Sequence, residues 1–320
     1  MTTTPDVVGY LLAYFHSELE EDGEQIRFAV SIGNRPDAWT MLNGDRPVLR
    51  SSVGMGGARD PFLVRDERAG RFFVLATDLR TWPDHETAWT RSLRHGSRGI
   101  LVWESTDLTE WSDARLVEVA PASVGNVWAP KAFWSESRQR WLMFWASALF
   151  EDDEDRTPGG YQRILVAETE DFRSFSEPQV HLDFGHDVID LAFVQDGDAW
   201  YRFSANAHSP GGSPDLGNHI FEERGTALED PVFEPFRIDI GKPELRRGEG
   251  PAVARAIAGD GAFLLIDEFL LRGYQLFETQ DLAGGEWQHI PDAHLPPGAR
   301  HGSLLAITAA ERDRLLHAYP

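Results

Sequence analysis

Apolar runs of six or seven residues recur along the chain, each closed off by Gly, Pro or Asp, and an apolar stripe at helical spacing is almost nowhere sustained. Arg71-Phe-Phe-Val-Leu-Ala-Thr77, Trp141-Leu-Met-Phe-Trp-Ala146 and Ala262-Phe-Leu-Leu-Ile-Asp267 are representative. Their β-branched and aromatic residues, bounded by turn signals, predict short strands and an all-β fold.

The runs also repeat in order. An opening strand at Asp60-Pro61-Phe62-Leu63-Val64 is followed by a charged turn, a strand over 71–77, a strand over 99–104, and Ser105 to Trp111. The same succession starts again at Ala129-Pro130, at Ile189-Asp190 and at Glu249-Gly250-Pro251. A fifth unit appears only when the chain ends are joined. His301-Gly302-Ser303 opens a strand with no partners after it, whereas residues 9–48 contain later strands of a unit lacking its first. Openings near 60, 129, 190, 249 and 301 stand 52 to 69 residues apart, enough for four strands and their loops. The chain therefore reads as a single domain over 1–320, a five-bladed β-propeller closed by pairing of N- and C-terminal strands. A β-sandwich is the competing architecture, but it gives no reason for matched order across the units.

Composition narrows the chemistry. Fifty-two acidic against 30 basic residues give a formal charge of −22, which disfavours nucleic acid and anionic membrane surfaces as partners. The chain has no cysteine, so disulfides, thiol catalysis and iron–sulfur clusters are excluded. No glycine-rich dinucleotide fingerprint accompanies a strand and helix, so no redox cofactor is expected. The first apolar stretch, Val7 to Phe15, lacks a basic residue before it and runs into His16-Ser17-Glu18-Leu19-Glu20-Glu21-Asp22. That pattern suits neither a signal peptide nor a membrane span, and a cytoplasmic protein is expected unless the chain is a processed form.

In a propeller the first strand of each blade lines the central channel, so Asp60, Trp128-Ala129, Asp190, Glu249 and His301 should meet at one mouth. Three carboxylates then share a pocket. Like charges held together raise one another's pKa, which is how an acid and a base arise from one kind of side chain.

The set Arg59-Asp60-Pro61-Phe62, Trp128-Ala129-Pro130, Ile189-Asp190, Glu249-Gly250-Pro251 and His301-Gly302-Ser303 resembles glycoside hydrolase family 43 over essentially the whole chain. That family consists of five-bladed propellers, chiefly α-L-arabinofuranosidases, β-xylosidases and arabinanases, which hydrolyse with inversion. The resemblance implies that Asp60 is the general base, Glu249 the general acid and Asp190 the residue that tunes and orients the acid. Inversion requires the acid and the base about 6.5–9.5 Å apart, with water between base and sugar. It further implies a carbohydrate substrate from plant cell walls, with Arg59, Asp78, Trp128 and His301 around it. No cofactor is required. A structural calcium ion in the channel, reached by His301 through water, is one expectation for that histidine, and a plain hydrogen bond is the other.

Each residue also has a plainer reading. Asp60 before Pro61 can shape a turn, Glu249 can pair with Arg246 or Arg247, and Trp128 can simply pack. Lys131 departs from the resemblance, since many members carry an acidic residue after Trp-Ala-Pro. Its effect depends on whether it points inward. The run Glu151 to Asp155 reads as a solvated loop or, alternatively, a calcium loop, and His208 to Asp215 as a blade loop. Two other functional classes stay open. A different carbohydrate enzyme, such as a galactosidase, galactanase or glycoside phosphorylase, would need other subsites, and a phosphorylase would need cations beside Asp60. A noncatalytic sugar-binding propeller would be expected to have lost a carboxylate.

Overall fold

The computed structural model describes residues 6–150, 156, 160–207, 217–284 and 286–320. The Glu151 to Asp155 run and the His208 to Asp215 insert lie outside them. The apolar runs form strands that are hydrophobic at nearly every position, because both faces of each sheet are covered by neighbouring sheets. Successive residues face opposite seams. Phe72 and Phe73, for example, belong to different core clusters.

Five four-stranded sheets result. Blade 1 is β4 (Ala58–Asp66), β5 (Arg71–Asp78), β6 (Gly99–Ser105) and β7 (Arg115–Glu118). Blade 2 is β8 (Trp128–Ser135), β9 (Arg140–Ala148), β10 (Gln162–Thr169) and β11 (Gln179–Leu182). Blade 3 is β12 (Val188–Asp196), β13 (Ala199–Asn206), β14 (His219–Gly225) and β15 (Glu234–Ile240). Blade 4 is β16 (Glu249–Arg255), β17 (Ala262–Glu268), β18 (Gly273–Thr279) and β19 (Gln288–His289). Blade 5 combines both chain ends in the order β20 (Arg300–Thr308), β1 (Val7–Phe15), β2 (Arg27–Ser31) and β3 (Trp39–Met41). Leu11 pairs with Leu305 and Ala13 with Ser303, so the closure expected from the incomplete end units is present.

Five hydrophobic clusters fill the five seams. Leu11, Phe28, Val74 and Trp103 join blades 5 and 1, and Phe73, Val102, Met143 and Trp145 join blades 1 and 2. Phe144 meets Phe193 between blades 2 and 3, Phe203 meets Leu264 between blades 3 and 4, and Leu12 meets Phe263 between blades 4 and 5. Helix α2 (Ala309–Ala318) fastens the closing seam. Its Leu315 is buried among blade 5 and blade 1 residues, and Arg65 of β4 donates to Glu311 at 2.6 and 3.0 Å. A capping box between Thr308 and Glu311 starts that helix where the strand stops.

One local irregularity recurs in all five innermost strands. Pairing with the neighbouring strand skips between Arg59 and Phe62, Trp128 and Lys131, Ile189 and Ala192, and Glu249 and Ala252, and in β20 opposite the step from Ala13 to Phe15. At each β-bulge one residue is left-handed: Asp60 (φ 53°), Ala129 (50°), Asp190 (62°), Gly250 (57°) and His301 (29°). A bulge re-aims side chains locally, and here it does so five times at one end of the channel.

Candidate active site

The bulges sort the site residues into two tiers. The left-handed residues Asp60, Asp190 and His301 meet at the axis. His301 Nδ1 lies 2.8 Å from Asp60 Oδ1, and its Nε2 lies 3.5 Å from Asp190 Oδ1. Gly250 occupies the equivalent place in blade 4, where a Cβ would come within 2.4 Å of the His301 ring. Glycine is required there both for its backbone and for the imidazole. Its amide donates to Asp190 Oδ2 at 2.9 Å, tying blade 3 to blade 4. Burial opposes a charge on His301, but Asp190 and Asp60 outweigh it and push the imidazole up to about 9.

Asp60 is also buried, which raises its pKa. The His301 charge and hydrogen bond, Arg59, and a 2.7 Å bond donated by Thr77 Oγ1 overcome that, and the carboxyl is held below the usual carboxylate range. Thr77 in turn accepts from the Ala129 amide at 2.8 Å, so the base candidate is braced against blade 2. Asp78, expected from the resemblance to lie around the substrate, is not among the hydrogen-bond partners of Asp60. Adjacent strand residues face opposite ways, and Asp78 instead accepts from the Met55 amide at 2.7 Å behind the Gly54 turn.

The residue before each left-handed position forms the second tier. Glu249 Oε1 accepts from Arg300 Nη2 at 2.9 Å, and the same guanidinium reaches Asp267 at 2.9 Å and Glu18 at 2.5 Å. Three carboxylates thus surround one cation away from bulk water. Burial above all, with Asp267 and Asp190 adding to it against the pull of Arg300, raises the Glu249 pKa well above its ordinary value. Asp267 is raised in the same way. Both shifts favour the neutral carboxyl in this cluster.

Arg59 and Trp128 complete that tier. The Arg59 guanidinium lies between the rings of Phe15 (4.9 Å) and Trp89 (5.4 Å) and near Glu24 at 3.4 Å. Trp89 stacks on half-buried Trp128 at 5.2 Å and 22°, and on His85 at 6.4 Å. Trp89 and His85 come from α1 (His85–His95), inserted between β5 and β6, and Trp89 is 37% exposed. This platform was missed in the sequence. The helix buries little of its own, so no apolar stripe marks it, and Asp84 as N-cap was the available signal. Arg300, Asp267 and Glu18 were also missed.

Lys131 points inward. It is buried, its Nζ donates to the Pro251 carbonyl at 2.7 Å, and burial lowers its pKa to about 8 although Asp190 and Asp60 favour its charge. The residues around the axis do not fit the calcium ion implied by the family resemblance. Both nitrogens of His301 face aspartates, an ammonium shares the space, and among the described residues no three His, Asp or Glu side chains form a ligand set. Among the same residues no helix is long and apolar enough to cross a membrane.

A family model described as a "probable glycosyl hydrolase domain", in a family related to glycoside hydrolase family 43, matches residues 6–313. An α-L-arabinofuranosidase of Bifidobacterium longum is 30% identical over 245 residues, 72% of this chain. The aligned part is 22% of that relative, so the chain spans about a fifth of its length. Two solved structures share the fold. The catalytic domain of a family 62 α-L-arabinofuranosidase from Coprinopsis cinerea aligns with 93% of this chain and 78% of its own, at 14% identity and a TM-score of 0.53. An α-L-arabinanase from Penicillium chrysogenum, complexed with arabinobiose, aligns with 88% of this chain and 77% of its own, at 14% identity and 0.56.

Proposed function

Because the chain belongs to the glycosyl hydrolase family related to family 43, we propose that it is an inverting α-L-arabinofuranosidase acting on plant cell-wall polysaccharides or their oligosaccharides. The observation that carries this reading is the opposed environment of two carboxyl groups at one channel mouth: Asp60 is held ionised and Glu249 is pushed towards its neutral form. Two titratable groups driven apart by their surroundings are the physical signature of an acid and base pair. The arabinose specificity is carried over from the Bifidobacterium longum relative.

The Glu249 O–H gives its proton to the glycosidic oxygen as the bond from that oxygen to the anomeric carbon breaks. A water on the opposite face of the sugar attacks that carbon and loses a proton to Asp60. His301 and Thr77 hold one lone pair on each Asp60 oxygen, leaving others for the water. Asp190 adds negative charge near Glu249 and favours its protonated form. Trp89 and Trp128 offer flat faces to the C–H side of a sugar. His301 is taken up by Asp60 and Asp190 and the Lys131 ammonium by the Pro251 carbonyl, so neither of these channel cations is offered to a phosphate, and water is the acceptor in this reading.

A panel of nitrophenyl glycosides, with the first-formed anomer followed by NMR, tests it. Release from the α-L-arabinofuranoside, well above that from the β-xyloside and β-galactoside, with an inverted product, is expected. Preference for another sugar would overturn the specificity, and a retained anomer would overturn the mechanism.

A further inference from the structure

Lys131 is the feature of the channel that the reaction above leaves unused. It sits on β8, two residues after left-handed Ala129, and the bulge turns it off the normal alternation. From blade 2 it reaches Pro251 of blade 4, so one side chain ties two blades that are not neighbours. It is 2% exposed. A buried ammonium is strongly unfavourable without opposite charge nearby; its hydrogen bond goes to the Pro251 carbonyl, and Asp190 and Asp60 favour its charge from across the channel without pairing with it directly. With His301 charged between the same two aspartates, two cations balance two anions at the axis.

We propose that Lys131 supplies from within the chain the charge that a metal ion would otherwise bring to this channel, and that it is a positioning residue for Asp60 and Asp190. A calcium ion needs six to eight oxygen ligands. Here the oxygens nearest the axis already accept from protein donors, Asp60 from His301 and Thr77, Asp190 Oδ2 from the Gly250 amide, and the Pro251 carbonyl from Lys131 itself, and among the described residues what they have left falls short of that set. The ammonium would also repel a divalent ion entering the same space. The charge half of the inference is independent of which sugar is cleaved, and the positioning half rests on the proposed hydrolysis.

The test uses the full chain, dialysed against EDTA and then against calcium chloride, with bound metal measured by atomic emission and unfolding followed thermally. Wild type is expected to carry no stoichiometric calcium and to melt within about 1 °C in both conditions. A bound structural ion at saturation would instead raise the melting temperature by about 5 °C or more. One calcium per chain, or a melt that falls on chelation, overturns the charge half. Lys131→Met tests the positioning half, with Lys131→Gln in its place if the methionine variant does not fold. Loss of a cation in the channel makes Asp60 harder to ionise. The variant is therefore expected to lose kcat about tenfold or more with KM unchanged, and its acidic pH limb should move up. A folded variant with wild-type kcat and pH profile overturns that half, whatever the sugar specificity.

Discussion

Asp60 and Glu249 are asked to do opposite things, and their variants should fail in different ways. Asp60→Asn keeps the side chain's size but removes the acceptor for the water proton, and turnover per folded molecule on every substrate should drop about 10²- to 10⁴-fold. Glu249→Gln should lose a similar factor on natural sugars, yet much less on aryl glycosides whose leaving group departs with little help. Comparing the two variants on arabino-oligosaccharide and nitrophenyl substrate checks the assignment. If Glu249→Gln is equally crippled on both, that carboxyl is not the proton donor. The sequence carried these carboxylates legibly because each sits in a short motif. It did not carry their partners. Thr77, not Asp78, bonds Asp60, because strand alternation decides which of two adjacent polar residues faces the axis. Lys131 could not be assigned a direction either, since the bulge preceding it breaks the period of two on which such readings depend.

The elements that shape the pocket come from two sources with different legibility. The strands were readable as apolar runs. Helix α1 was not, because its sequence is polar and only Ser92 is buried. It nevertheless contributes Trp89, whose ring is held between Trp128 and Arg59. Trp89→Ala should cost binding more than chemistry: removing about 0.5–1.5 kcal/mol of aromatic contact raises KM by about 2- to 12-fold, with kcat nearly constant. Steady-state kinetics on the preferred substrate decide this. A fall in kcat with unchanged KM would show that the helix acts on Asp60 through Arg59 and not on the sugar. The five bulges were also invisible, since a bulge depends on which residues pair across strands and not on a local composition. Their absence from the sequence reading is why Glu249 was grouped with Asp60 and Asp190, although it stands one residue earlier in its strand.

At the scale of the ring, closure by both chain ends was legible because two incomplete units summed to one, while the second fastening by α2 was not. Deleting residues 300–320 removes buried Ile307 and Leu315, the Arg65–Glu311 pair, and the strand that carries Arg300 and His301. Each large apolar side chain lost costs about 2–5 kcal/mol, so the melting temperature should fall by about 10 °C or more, as one cooperative transition. A truncated chain that melts like the full one would refute the closure as a source of stability. Two buried histidines of opposite sign contribute to the whole-molecule pH response, beside the raised carboxyls. His301 is raised from 6.5 to about 9, so its stabilisation is complete below 6.5 and is lost as pH rises towards 9. His181, lowered from 6.5 to about 3 chiefly by burial, with Arg202 adding to it, is neutral in the fold, so stability falls as pH drops below 6.5. Between pH 6.5 and 8 His301 and the raised Glu249 act in the same direction, so the melting temperature should fall over that range, and Asp60 steepens the loss at strong acidity. A melting temperature still climbing from pH 6.5 to 8 would contradict the charged His301. The repeated bulge has a last consequence for how such a ring changes over time. The same backbone turn makes five seats, of which three hold reactive side chains, Ala129 offers only a methyl group, and Gly250 must stay bare because the His301 ring fills the space of its Cβ. Chemistry can therefore be erased, or added at the Ala129 seat, by exchanging an occupant while the frame stays put, whereas the Gly250 seat is closed to any side chain as long as His301 stands beside it.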